Sequence, residues 1–215
     1  MNREPFELGE FYHIYNHGVE ERNIFGDEDD SRRFLESMRV FNTIEPVGAL
    51  FLENNNLQRG ETPETKLVNV VSYCLNPNHY HLLLEEIIPG GISEFMKRVG
   101  GGYTVYFNNK NKRKGSLFRG VFKSVWVSAD EYLLYLSAYI NLNYKVHELS
   151  DDFLPLVRSS WNEYCEEKKK QMSHTEPILK HFKNKKEYKK YAEESLISML
   201  EKKKSDRQLK YLSID

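Results

Sequence analysis

Histidines 79 and 81 sit in the run Val70-Val71-Ser72-Tyr73-Cys74-Leu75-Asn76-Pro77-Asn78-His79-Tyr80-His81-Leu82-Leu83-Leu84, and this run most constrains the fold. Apolar, β-prone residues flank the turn-like Asn76-Pro77-Asn78, so the chain reads as strand on either side of it. On a strand, imidazoles at i and i+2 share one face about 7 Å apart, with Tyr80 turned to the other. That separation suits two nitrogen ligands converging on one divalent cation. Buried structural histidines are the bland alternative.

The rest of the chain alternates strand and helix signals. Glu10 to Asn16 is aromatic and β-branched enough for a first strand. Asp27 to Asp30 offer helix N-caps, and Phe34, Leu35, Met38 and Phe41 follow at helical spacing, predicting a helix near 29–43. Val47 to Leu52 reads as a short strand and Glu53 to Lys66 as an exposed loop. From Ser93, the residues Phe95, Met96, Val99, Tyr103 and Phe107 mark a second helix. It contains Gly100, Gly101 and Gly102, each costing about 1 kcal/mol against Ala. Either the helix breaks there or another backbone approaches closely. Gly115 to Val127 reads as strand or hairpin. Ser128-Ala129-Asp130-Glu131 has the form of a capping box opening a third helix. Glu85 and Glu86, ending the histidine strand, are expected to be solvated. This order predicts an α+β fold with an antiparallel sheet.

At 215 residues the chain fits one domain with an appendage: residues 1–150 as the catalytic domain and 151–215 as a charged, mostly helical extension. Cys74 and Cys165 make no disulfide framework, and no apolar run approaches a membrane span, so a cytoplasmic protein without a membrane partner is expected. A net charge of −1 gives no global nucleic-acid signal. A local one exists, because Lys97, Arg98, Lys110, Lys112, Arg113, Lys114, Arg119 and Lys123 fall in a stretch free of Asp and Glu. Aromatics interleave them, so the stretch could neutralise phosphates while one or two of its aromatics stack on unpaired bases, most of the others reading as core.

On the third helix Tyr139 and Asn143 are spaced i, i+4 and share a face. Asn143 offers an amide oxygen to a hard cation, or alternatively caps the helix. Tyr139 offers a phenolate nucleophile. With His79 and His81 as metal ligands, the set suffices for metal-assisted phosphodiester transesterification. Cys74 near the imidazoles raises zinc as an alternative. His13 and His17 read as structural or DNA-facing rather than as ligands.

These residues carry a family likeness. Leu75-Asn76-Pro77-Asn78-His79-Tyr80-His81-Leu82-Leu83 resembles the HUH motif (His, bulky apolar residue, His) of single-tyrosine transposases, most of all the REP-associated tyrosine transposases of the IS200-like group. Tyr12-His13-Ile14-Tyr15-Asn16 with Arg22-Asn23-Ile24-Phe25 resembles the opening strand and turn of that family. Lys114-Gly115-Ser116-Leu117-Phe118-Arg119-Gly120 resembles its post-helix element, and Ser159-Ser160-Trp161 is a weaker match. Tyr139-Ile140-Asn141-Leu142-Asn143 resembles its catalytic helix, with Tyr139 on the nucleophile and Asn143 on the third metal ligand. Tyr144 stands where that family usually has Pro after the ligand Asn, and the three consecutive glycines are also unusual for it. The resemblance implies a ferredoxin-like HUH core, Mg²⁺ or Mn²⁺ as cofactor, and cleavage and rejoining of single-stranded DNA beside hairpins through a 5′-phosphotyrosine, by a monomer or homodimer. A domesticated hairpin-binding protein without catalysis and a metal phosphoesterase using water remain the alternatives.

Overall fold

The structure is a computed structural model and describes residues 5–45, 65–167 and 171–212, with 207–212 by backbone alone. The strand expected at Val47 to Leu52 and nearly all of the loop after it lie outside these residues. The elements positioning the site run β1 (Phe11–His17), α1 (Glu28–Val40), β2 (Val68–Asn76), β3 (His79–Glu86), α2 (Gly91–Lys110), β4 (Lys123–Val127), α3 (Asp130–Asn141) and α4 (Asn143–Val146). After them come β5 (Arg158–Ser159), α5 (Trp161–Cys165), α6 (Glu176–Leu179) and the long α7 (Lys185–Leu212). The strands form one antiparallel sheet in the order β4-β1-β3-β2-β5. The first four strands with α1 and α2 make the β-α-β-β-α-β arrangement of a ferredoxin-like fold.

The histidine run is therefore a hairpin. Asn76 pairs with His79 across the two-residue turn Pro77-Asn78, and Ile24 and Phe25 both donate their backbone N–H to the Pro77 carbonyl. Alternation along β3 sends Tyr80, Leu82 and Leu84 into a core with Phe34, Phe95 and Tyr103 under α1 and α2. Leu83 packs the other way, with Cys74, Leu136 and Ile140 beneath α3. Each such fully buried apolar side chain is worth about 1.5–3 kcal/mol.

Asp27 caps α1 by accepting from the Asp30 N–H at 3.0 Å. Asp30 is buried yet satisfied: it accepts from the Gly26 N–H, the Tyr106 hydroxyl and Lys110 Nζ, tying α1 to the end of α2. Helix α2 runs unbroken through its three glycines. Only at Gly102 is there a close neighbour, since an added Cβ would lie 2.9 Å from Phe41 Cε2.

Three expectations are corrected. Glu86 is fully buried, not solvated: its carboxylate accepts the N–H groups of Gly90 (2.6 Å), Gly91 (3.1 Å) and Ile92 (2.7 Å), holding the start of α2. A carboxylate there meets three backbone donors, of which Gly91 also donates to the Ile88 carbonyl at 3.0 Å, at the positive helix end. The capping box at Ser128 does not form, because Ala129 is the N-cap of α3 and no side chain bonds to it. Within Gly115 to Val127 only Lys123–Val127 is strand; the residues before it form turns that touch the sheet through the Gly18–Phe118 bridge.

The charged extension adds to the second core. Tyr188 of α7 is buried against Tyr164, with ring centroids 4.8 Å apart, and its hydroxyl accepts from Asn141 Nδ2 at 2.8 Å. Tyr164 in turn donates to the Val71 carbonyl at 2.8 Å. Among the described residues, no helix is long and apolar enough to cross a membrane.

Candidate active site

The end of the β2–β3 hairpin presents His79 and His81 on the face covered by α3. Strand β1 adds His13, Tyr15 and His17 to the same patch, through the registers Tyr15 to His81 and His17 to His79. His17 stacks on His79 with centroids 4.9 Å apart, and His13 stacks on His81 at 5.0 Å.

Both paired imidazoles are held from behind. His79 Nδ1 lies 2.7 Å from Asn78 Oδ1, an acceptor, so Nδ1 carries the proton and Nε2 keeps its lone pair. His81 Nδ1 lies 2.8 Å from His13 Nε2. With His81 as donor in that bond, its Nε2 likewise keeps its lone pair. Burial pushes His79 down to about 3 and His13 down to about 4, and holds His81 well below its ordinary value. At neutral pH these rings are therefore uncharged, the state in which imidazole binds a metal.

Helix α3 ends at Leu142 with a local departure from helical geometry, and α4 resumes at Asn143. The turn survives in hydrogen bonds from the Val146 N–H to the Leu142 carbonyl and from the His147 N–H to the Asn143 carbonyl. Asn143 is thus neither a C-cap nor exposed. Its side chain is fully buried, with Oδ1 3.2 Å from His79 Nε2. The Asn76 amide bridges these two acceptors, its Nδ2 lying 2.7 Å from Asn143 Oδ1 and 2.9 Å from His79 Nε2. Two lone-pair atoms turned toward one positive N–H₂ group form a donor pair that fits a cation.

Tyr139 stands edge-on to His81, with centroids 5.6 Å apart, and to His13 at 6.4 Å. Burial pushes its phenol above the ordinary tyrosine value, and the neighbouring Asn143 amide partly offsets this. Tyr139, His13 and His147 open into a cleft of about 530 Å³, one wall of which is α7 with Met199, Lys202 and Lys203. Lys203 Nζ donates to the Val146 carbonyl and pairs with Glu148 Oε2 at 3.2 Å.

The fold therefore brings His79, His81, Tyr139 and Asn143 together. Sequence reasoning missed two neighbours, Asn76 and His147. A signal for His147 existed, since it follows Asn143 at the same i, i+4 step that links Asn143 to Tyr139. Cys74 is buried beneath this face; burial pushes its thiol up to about 12, and its Sγ donates to Asn76 Oδ1 at 3.7 Å.

The eight basic residues are dispersed. Lys97 and Arg98 pair with Glu94 on α2, and Lys110 pairs with Asp27 and Asp30, all behind the sheet on the side away from the imidazoles. Arg113 bonds to Asn108 and the Ser116 carbonyl, while Lys112 and Lys114 are in the exposed turns after α2. Arg119, which reaches Glu21, and Lys123, placed 5.9 Å over the Tyr15 ring, lie nearest the site. Both depress the pKa of His17, though less than burial does.

Fold and site define a class: an α+β domain whose antiparallel sheet presents paired imidazoles to a helix-borne tyrosine. Residues 59–143 match the family described as Transposase IS200 like, which shows the resemblance drawn from the sequence and supports a transposase role. The matched segment contains His79, His81, Tyr139 and Asn143. A solved structure described as a REP-associated tyrosine transposase bound to a REP hairpin is similar at 11% identity and a TM-score of 0.45, over 76% of this chain and 83% of that chain. No curated protein matches.

Proposed function

We propose that this protein cuts and rejoins single-stranded DNA beside hairpins, with Tyr139 as nucleophile. The observation that carries the reading is the seat of Tyr139, edge-on to His81 at 5.6 Å and one helical turn before the buried Asn143 oxygen.

His79 Nε2, His81 Nε2 and Asn143 Oδ1 would hold the divalent cation, Mg²⁺ or Mn²⁺ by resemblance. Its chemistry is Lewis-acid polarisation of a non-bridging phosphate oxygen. The chain supplies the rest. The Tyr139 phenol gives its proton to water in the cleft. Its oxygen then bonds to phosphorus as the bond from phosphorus to the 3′ oxygen breaks. The departing 3′ oxygen takes up a proton, so no net proton is consumed. The product is a 5′-phosphotyrosine with the phosphodiester's energy conserved, and rejoining is the reverse step with an incoming 3′-hydroxyl. Phosphates along the strand would be met by Arg119 and Lys123 first, and by Lys112 and Lys114 on the exposed turns. Catalysis is assigned to residues 1–150, with 151–215 as the helical extension.

The test is a denaturing gel of purified protein with end-labelled single-stranded hairpin DNA and Mn²⁺, for wild type and Tyr139→Phe. A protease-sensitive covalent adduct in the wild type alone is expected. Cleavage retained by Tyr139→Phe would mean water or another nucleophile; uncut DNA in both, with a retarded complex on a parallel native gel, would leave a binding protein.

A further inference from the structure

Tyr139, Asn143 and His147 follow one another at four-residue steps, so a single stripe of the α3–α4 segment carries all three. The third member falls beside the paired imidazoles. The ring centroids of His79 and His147 are 4.7 Å apart, and one ligand atom each from His79, His81 and His147 lies within 4.8 Å of the others. Two of these residues are buried on the sheet; the third is exposed at the end of α4, on the rim of the cleft that holds Tyr139.

We infer that His147 is a metal ligand, and that the resulting three-imidazole set selects late first-row divalent ions over Mg²⁺. This ligand set belongs to the same site and rests on the proposed function only for what that site is used for. Among the described residues the group that converges here contains three imidazoles and no Asp or Glu. Mg²⁺ is bound through carboxylates, phosphates and retained waters, and it sheds water reluctantly. Imidazole nitrogen suits softer ions, with affinity rising from Mn²⁺ through Co²⁺ and Ni²⁺. With Asn143 Oδ1 as the one hard donor, the set is three nitrogens and one oxygen.

The experiment measures metal binding, without DNA, by wild type, His147→Gln and His79→Ala, after far-UV circular dichroism has checked each fold. Co²⁺ is followed by its visible absorption, and Mn²⁺ and Mg²⁺ by competition against it. Wild type should bind Co²⁺ at least about tenfold more tightly than Mg²⁺. His147→Gln should lose about tenfold or more in Co²⁺ affinity and show altered absorption. Equal Co²⁺ affinity and spectra in wild type and His147→Gln would remove His147 from the site. Mg²⁺ binding as tight as Co²⁺, or no Co²⁺ binding by wild type, would overturn the selectivity. DNA cleavage does not enter: Co²⁺ binding through His147 without any DNA adduct upholds the inference and sinks the transposase reading, while an adduct with metal binding indifferent to His147 does the reverse.

Discussion

His13 Nε2 lies 2.8 Å from His81 Nδ1, which makes a residue of the opening strand the support for an imidazole on the third. An imidazole held through its far nitrogen keeps its ring plane and tautomer, and so presents Nε2 in one direction. His13→Ala should weaken Mn²⁺ binding by about 10- to 100-fold while leaving the fold intact. Calorimetric titration of Mn²⁺ into the two proteins checks this, and unchanged affinity would reduce His13 to packing.

In the proposed reaction Tyr139 would lose a proton from a phenol that burial has raised above its ordinary value of 10.0. A phenolate attack is therefore rate-limited by a small ionised fraction, below about a thousandth at pH 7. Single-turnover formation of the DNA adduct should rise about tenfold per pH unit from pH 7 to 9. A flat profile over that span would show that the proton is already gone in the ground state.

In the metal-free protein, acid should destabilise the fold in a defined window. Unfolded histidines titrate near 6.5, whereas burial holds His79 down to about 3 and His13 down to about 4. Between these values the unfolded chain binds more protons, so stability is full above pH 6.5 and falls as pH drops toward 4. The loss approaches about 3 kcal/mol for a histidine shifted this far. Urea midpoints measured from pH 7.5 to 4 test it, and a level curve would contradict the buried neutral imidazoles.

Glu86 gathers three backbone N–H groups at the start of α2. Glu86→Ala removes the acceptor of the buried Ile92 N–H and one partner each from Gly90 and Gly91, and should cost about 2–3 kcal/mol. Thermal denaturation is sufficient to detect a change of that size.

The three glycines of α2 should separate under substitution. Gly101→Ala meets nothing within 4 Å and should stabilise by about 0.5–1 kcal/mol through helix propensity. At Gly102 the same methyl meets Phe41 at 2.9 Å, so the gain should vanish or reverse. Equal stabilisation by both changes would show that the Phe41 ring moves aside freely.

Much of the fold was legible because its signals are local. Alternation marked β1 and the hairpin, Asp27 and the Phe34–Met38 spacing marked α1, and the placement of Phe95, Val99, Tyr103 and Phe107 marked α2 despite its glycines. Expectations failed where the chain's partner was distant. Glu86 looked solvated because sequence shows a strand end but not the helix start folded back onto it. Ser128 looked like a cap because the motif is short and the true N-cap fell one residue later. The basic run looked like one surface because linear charge density is blind to Glu94, Asp27 and Asp30, which pair with three of its members.

The sequence by itself determined which residues share a face: His79 with His81 along a strand, and Tyr139 with Asn143 along a helical turn. Those periods belong to the backbone and hold wherever the element lies. Only the tertiary structure decided that the two pairs meet, that His13 stands behind His81, that Asn76 bridges His79 and Asn143, and that His147 joins them. Such contacts depend on strand register and helix docking, which are set by burying two apolar faces of one sheet at once, and no local spacing encodes them.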